Sequence, residues 1–303
     1  MQFTRRQALL AGAATPLATL GAAARADGHA ATGPAAVHSD FTVGDFRVTT
    51  LLAGTRPVEN PHEIFGTNVD DATFADVSTA NFLPTDVAQF YFTPTVVNTG
   101  AEVILFDTGL APDGIKSALS AAGYAPEDIT HVVITHMHGD HIGGLADDAG
   151  TATFANAAYI TGQAEFDHWS GADNEGFAAK VAPLADKMTF IGDGGTVASG
   201  ITGMAAFGHT PGHMIYRVES GGEQLMLLAD LANHYVYSLA YPDWEVRFDM
   251  DKEAAAATRR RVLGELATDG IPFVGYHMPF PGVGYVATRD DGFRYVPHSY
   301  QLL

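Results

Sequence analysis

Residues 135–144 read Thr135-His136-Met137-His138-Gly139-Asp140-His141-Ile142-Gly143-Gly144. The β-branched, apolar run just before them, residues 129–135, has the character of a buried strand. The histidine-rich stretch is then the loop at that strand's C-terminal end, where α/β proteins place their sites. In extended chain, residues two apart point the same way, so His136 and His138 can converge on one metal ion. Asp140 and His141 follow as the chain turns and can face a second position beside it. Gly143 and Gly144 allow a tight turn without a Cβ.

Outward from this loop the pattern is strands interleaved with helices. Residues 41–53 read as two short strands around Gly44-Asp45, and 89–98 and 102–106 as strands paired about Thr99-Gly100. A short helix spans 112–122, ended by Gly123. Further strands fall at 157–161, 197–207, 214–219 and 224–229. Asp251 caps a helix to about residue 267, closed by Gly270 and Pro272. With no low-complexity linker and no repeat, residues 41–303 make one domain.

Three later strand ends also carry ligand-type residues. Gly208-His209-Thr210-Pro211-Gly212-His213 follows the strand ending at Phe207, and on spacing alone either histidine could bind metal. Asp230 ends an apolar run, a costly place for an unpaired carboxylate. His277 ends the apolar run 272–276.

Composition narrows the chemistry. The chain has 303 residues, with 16 Lys+Arg against 35 Asp+Glu and a formal charge of −19. So few cations cannot neutralise a run of phosphates or an anionic lipid surface, which excludes nucleic acid and membrane as partners. Small neutral or cationic substrates are favoured over polyanions. The absence of Cys excludes disulfides, thiolate nucleophiles and iron–sulfur clusters.

These motifs resemble the metallo-β-lactamase superfamily. The resemblance implies an α+β fold: a four-layer αβ/βα sandwich of two β-sheets flanked by helices. It also implies two divalent metal ions, Zn foremost, with Mn, Co or Fe possible. Carried over, the ligands are His136, His138, Asp140, His141, His209, Asp230 and His277, with Asp230 bridging and His213 outside the set. Asp107, in Asp107-Thr108-Gly109, would support the ligand loop from behind. The methyl parathion hydrolase branch is the most similar, through Val97-Asn98-Thr99-Gly100, His277-Met278-Pro279-Phe280-Pro281-Gly282 and Phe293-Arg294-Tyr295-Val296-Pro297. Gly139 stands where that branch has Pro.

The implied activity is a hydrolase that uses a metal-bridging hydroxide on a neutral ester, lactone or phosphotriester. Asp140 and Asp230 are the implied catalytic carboxylates, and Asp140 would orient the hydroxide. The resemblance puts an aromatic in the pocket wall at Trp169, with His168 beside it. His234 and Tyr235 are candidate donors to an oxyanion. Acyl-homoserine lactonases carry Tyr three residues after the bridging Asp, where this chain has Asn233. A mononuclear iron persulfide dioxygenase shares the HxHxDH pattern and is the alternative. A homodimer is compatible with the family.

Four further readings complete the expectations. Phe90, Tyr91 and Phe92 are assigned to core. Arg259-Arg260-Arg261 fan around a helix and are assigned to solvent. At the N-terminus, Arg5-Arg6, an Ala/Gly/Leu stretch and Ala24-Arg25-Ala26 read as a twin-arginine export signal over residues 1–26, implying a periplasmic protein. Residues 27–40 read as a flexible lead-in.

Overall fold

The computed structural model describes residues 37–299, so the expected export signal and most of the lead-in lie outside the described residues. The chain runs through β1 (His38–Val43), β2 (Phe46–Leu51), β3 (Gly54–Glu59), α1 (Asp71–Ala80), β4 (Val87–Phe92), β5 (Thr95–Asn98), β6 (Val103–Phe106) and α2 (Pro112–Ala121). Next come β7 (His131–Ile134), α3 (Gly139–Ile142), β8 (Ala158–Gly162), α4 (Gln163–Ser170) and β9 (Met188–Ile191). A second run holds β10 (Thr196–Ala198), β11 (Ile201–Ala205), β12 (Met214–Ser220) and β13 (Glu223–Leu227). It continues with α5 (Tyr237–Ala240), α6 (Lys252–Asp269), β14 (Phe273–Val274), β15 (Val283–Arg289) and β16 (Gly292–Pro297).

Two seven-stranded mixed sheets result, ordered β1-β2-β5-β6-β7-β8-β9 and β10-β11-β12-β13-β14-β15-β16. The pairs β6–β7, β7–β8, β8–β9 and β13–β14 are parallel and the remaining ones antiparallel. Side-chain alternation with a period of two builds the layers. On β6 and β7, Leu105, Val132 and Ile134 face a core shared with Ile115 and Leu119 of α2. Their neighbours Ile104, Phe106 and Val133 face a middle core with Tyr216, Val218 and Leu227 of the second sheet. Ile215, Met226 and Phe273 turn outward onto Val262, Leu263 and Leu266 of α6. Each sheet is thus sandwiched between the other sheet and a helical layer, the four-layer α+β architecture expected from the sequence. Among the described residues no helix is long and apolar enough to cross a membrane.

The structure corrects two strands. Residues 89–98 are not continuous: β4 pairs with β3 in a separate two-stranded ribbon, while β5 joins the first sheet. The break falls at Thr93-Pro94, where proline has no N–H for a ladder. Residues 197–207 likewise split at Ser199-Gly200 into the β10–β11 hairpin, with Gly200 at φ 80°. β1 also begins at His38, inside the segment read as lead-in.

The ribbon matters for the site. With α1 and the chain near Trp244 it encloses a fourth, aromatic cluster that includes Phe65, Phe74, Phe90, Phe92 and Tyr276. Asp70, exposed to solvent, caps α1 by accepting from the Thr73 N–H at 2.7 Å.

Candidate metal centre

The parallel strands β6 and β7 end side by side, and the two following loops lock together. Asp107 takes a left-handed φ of 60°, an uncommon conformation for a residue with a Cβ. It aims its carboxylate at β7. Its oxygens accept from the Thr135 N–H at 2.9 Å, the Thr135 hydroxyl at 2.8 Å and His141 Nδ1 at 2.8 Å. Thr108 Oγ1 in turn donates to the His141 carbonyl. Gly143 and Gly144 are required by close approach rather than by turn geometry. A Cβ on either would lie 2.2 Å from the carbonyl oxygen of Leu110 or Thr108.

Around this anchor seven side chains gather in two groups. His136, His138, His209 and Asp230 place one ligand atom each within 4.8 Å of one another, as do Asp140, His141 and His277. In the first group, His209 Nε2 lies 3.2 Å from His136 Nε2 and 3.0 Å from His138 Nδ1, which are 3.1 Å apart. Tetrahedral ligands at metal–nitrogen distances of about 2.0–2.1 Å would sit at about this separation.

Asp230 stands between the groups. Its Oδ2 is 3.4 Å from His209 Nε2 and 3.1 Å from His277 Nε2, and its Oδ1 is 3.1 Å from His141 Nε2. Asp140 Oδ2 lies 3.3 Å from His277 Nε2 and 3.6 Å from His141 Nε2.

Hydrogen bonds on the far ring nitrogens test whether this set suits cations. His141 Nδ1 faces Asp107, His209 Nδ1 faces Asp249 Oδ1 at 2.8 Å, and His277 Nδ1 faces the Tyr91 carbonyl at 2.8 Å. His136 Nδ1 is 3.1 Å from Thr135 Oγ1, whose own hydrogen goes to Asp107. Each acceptor fixes the tautomer with the proton outside and turns a lone pair inward. His141 Nε2 and Asp230 Oδ1 are buried without a hydrogen-bond partner. Inward lone pairs, two carboxylates and orphaned buried atoms are a donor set for two divalent cations.

The electrostatics agree. Burial, then the neighbouring His209, pull His138 down to about 4, so it stays neutral and ready to ligate. Burial opposes charge on His277, but Asp230 and Asp140 hold it at about 10. A cation must displace that proton, so affinity rises with pH through neutrality.

His213 and Asn233 take supporting places. His213 accepts the Asp230 N–H on Nε2 at 3.2 Å, with Nδ1 on the Ala206 carbonyl. Asn233 donates to Asp230 Oδ2 at 2.9 Å. At this position, then, the side chain positions the carboxylate instead of reaching substrate.

The candidate substrate contacts lie elsewhere than expected. A cavity of about 700 Å³ opens over His138, Asp140, Asp230 and His277. Neither Trp169, His168, His234 nor Tyr235 is among its lining residues. Trp169 is buried behind the site, its indole N–H donating to Glu165 and its ring 6.0 Å from that of His138. His168 sits against Trp169. His234 is buried, its Nδ1 accepting the Val236 and Tyr237 N–H groups, and Tyr235 stacks on its ring. The aromatic wall comes from Phe90 and Phe92, which meet the His277 ring edge-on at centroid distances of 5.1 and 5.6 Å. They face a site as well as a core.

Two supports had no counterpart among the expected site residues. Glu165 is fully buried between the loops that carry the ligands. Arg259 is also buried, contrary to its assignment to solvent. It donates to Asp249 Oδ2 at 2.8 Å and to the Leu231 and Pro242 carbonyls. The chain Arg259–Asp249–His209 orients one imidazole of the first group. Asp249→Asn is therefore expected to weaken metal affinity about 10–100-fold, measured by competition with a chromogenic chelator. Arg260, on the outer side of α6, pairs with both Asp243 and Asp291 at the surface.

A family profile for the metallo-beta-lactamase superfamily matches residues 93–267. The chain belongs to the metallo-beta-lactamase superfamily. An N-acyl homoserine lactonase of Bacillus cereus is 28% identical over 186 residues, 61% of this chain and 67% of that enzyme. The match to a second such lactonase, from a Bacillus species, spans 44% of that chain at 29% identity. Among solved structures, AidC, a dizinc quorum-quenching lactonase in complex with a product, superposes with a TM-score of 0.81. It is 27% identical, covering 87% of this chain and 98% of that one. The hydrolase AbOPH shares the fold at the same TM-score of 0.81 and 24% identity, over 88% and 99% of the two chains. Like these superfamily relatives, the chain is a metallo-hydrolase.

Proposed function

We propose that the chain is a dinuclear hydrolase that opens lactones and cleaves related esters or phosphotriesters. The observation that carries this is Asp230, whose two oxygens reach histidines of both ligand groups. Two divalent cations held by these groups would acidify a water and polarise a carbonyl or phosphoryl oxygen. The chain's own residues do the rest. Asp140, at the cavity floor, can hold and orient a water and accept its proton. Phe90 and Phe92 exclude bulk solvent and offer an apolar face to the body of the substrate. A persulfide dioxygenase needs one iron, and seven ligand side chains in two groups exceed that requirement.

Lactones lead the substrate classes because the lactonase relatives and AidC act on them, and the His277–Gly282 element supports a methyl parathion hydrolase-like branch within the superfamily. The paired arginines of the N-terminus support export to the periplasm.

The test is metal content together with turnover on a panel of lactones, aryl esters and paraoxon-like triesters. About two equivalents of metal are expected. Dipicolinate should abolish turnover and Zn or Mn should restore it. Stripping should also lower the Tm, since ions that bind only the native state stabilise it. Turnover that survives complete removal of metal would sink the proposal.

A further inference from the structure

The cavity carries two arginines that the hydrolytic chemistry does not use. Arg56 on β3 and Arg247 in the segment before α6 both line it and both are exposed. In a chain with 35 acidic residues, exposed Arg47 and Arg261 and half-buried Arg260 and Arg289 pair with carboxylates. Arg56 and Arg247 have no carboxylate within ion-pairing distance among the described residues. The Arg247 guanidinium lies over the Phe248 ring, 5.0 Å from its centroid, and Phe248 meets Phe90 edge-on. That stacking holds one cation at the rim while leaving its N–H edge free. Glu59 is a further acidic residue of the lining, and Asp140 and Asp230 face the ligand histidines.

By burial, the lining thus runs from metal ligands and the largely buried apolar Ile64, Phe90, Phe92 and Leu110 to the exposed Arg56 and Arg247, with Glu59 as the acidic group at the exposed end. A substrate matching that order has a neutral reacting carbonyl, an apolar linker and one anion at its far end. We propose that the preferred substrates are esters or lactones bearing a remote carboxylate, recognised by Arg56 and Arg247. This rests on the hydrolase assignment and deepens it. Guanidinium groups suit carboxylates because their planar N–H forks match both oxygens. The net charge of the chain disfavours polyanions, but a single anion docked at two local cations is a different case.

The test uses a matched pair of esters on the metal-loaded protein: mono-4-nitrophenyl adipate, which ends in a carboxylate, and 4-nitrophenyl hexanoate, which ends in a methyl group. The readout is the ratio of their kcat/KM values, in which the amount of folded protein cancels. The ratio is expected to favour adipate and to fall about tenfold in Arg56→Met/Arg247→Met, and further in Arg56→Glu. The preference should also shrink as salt rises. A fall of less than threefold in the double variant overturns the proposal. If the metal-loaded protein cleaves neither ester nor any lactone, the hydrolase assignment fails, and this proposal with it. Cleavage of both esters at equal rates leaves the hydrolase assignment standing and overturns the remote-anion preference alone.

Discussion

Asp230→Asn lowers kcat by about 10³-fold or more and takes bound metal from two equivalents to one or fewer. The substitution keeps the shape of the side chain and removes its charge. Oδ1 and Oδ2 of Asp230 approach His141, His209 and His277 at 3.1–3.4 Å. Among the described residues, this one buried carboxylate therefore reaches histidines of both halves of the ligand set. Two divalent cations at such close quarters repel strongly in a buried site, and a neutral amide offsets none of that repulsion. Metal analysis by mass spectrometry, alongside kcat on the best substrate of the panel, checks both parts. A variant that keeps two ions and more than a tenth of its activity would show that the carboxylate is not shared.

The same carboxylate shapes the pH dependence of the metal-free protein. Burial opposes ionisation of Asp230, but His277 and His141 hold it well below the usual carboxylate range. Its contribution to stability is therefore present above about pH 4, the unfolded value, and is lost as the pH falls towards the folded one. His277 runs the other way. Its folded value of about 10 makes its contribution complete below about pH 6.5 and lost as the pH rises through 10. Buried His138, held at about 4, and His213 and His234, each at about 3, add a loss as the pH falls below about 6.5. Chelated protein should therefore be most stable at about pH 6.5, with Tm falling on either side. Asp230→Asn should flatten both flanks.

Much of the centre was legible in the sequence because its ligands sit at strand ends, where apolar periodicity stops at a polar side chain. The loop after β7, the Asp ending the run after β13 and the His after β14 all announce themselves in this way. The layers were legible for the same reason, since alternation with a period of two assigns each strand two faces. Other features depend on where distant segments meet. Phe90 and Phe92 alternate like core residues, and only the break at Pro94 turns their strand into a ribbon over His277. Trp169 belongs behind the ligands because its helix presents the indole N–H to Glu165.

Arg259 is a different case. Its three-way fan with Arg260 and Arg261 is correct geometry. Yet Ala255, Val262, Leu263 and Leu266 lie four back and three, four and seven ahead, so 3.6 residues per turn place Arg259 on the buried stripe. The pattern was present in the sequence. Its meaning required Asp249, a buried carboxylate that makes a buried guanidinium tolerable.

Glu165→Ala is expected to produce the largest loss of stability, about 4 kcal/mol or more, with a Tm about 10 °C lower. Oε1 accepts the Met137 N–H at 2.8 Å and the Trp169 indole N–H at 2.6 Å. Oε2 accepts the Thr210 hydroxyl at 2.7 Å and the Gly212 N–H at 2.9 Å. Met137 lies between His136 and His138, and Thr210 and Gly212 lie between His209 and His213, so one side chain straps together both ligand loops of the first group. Packing there is so close that a Cβ on Gly212 would lie 2.0 Å from the Glu165 nitrogen. Truncation leaves four buried donors without an acceptor, each costing about 1–3 kcal/mol and not additively. Glu165→Gln separates hydrogen bonding from packing: it keeps the volume but turns an amide NH₂ towards two of the donors. It should retain most of the stability loss and weaken metal affinity about 10–100-fold, because the imidazoles from the two loops are no longer held in register. If Glu165→Gln melts and binds metal like the parent protein, the carboxylate is only filling space, and the two loops must be held together by the ions alone.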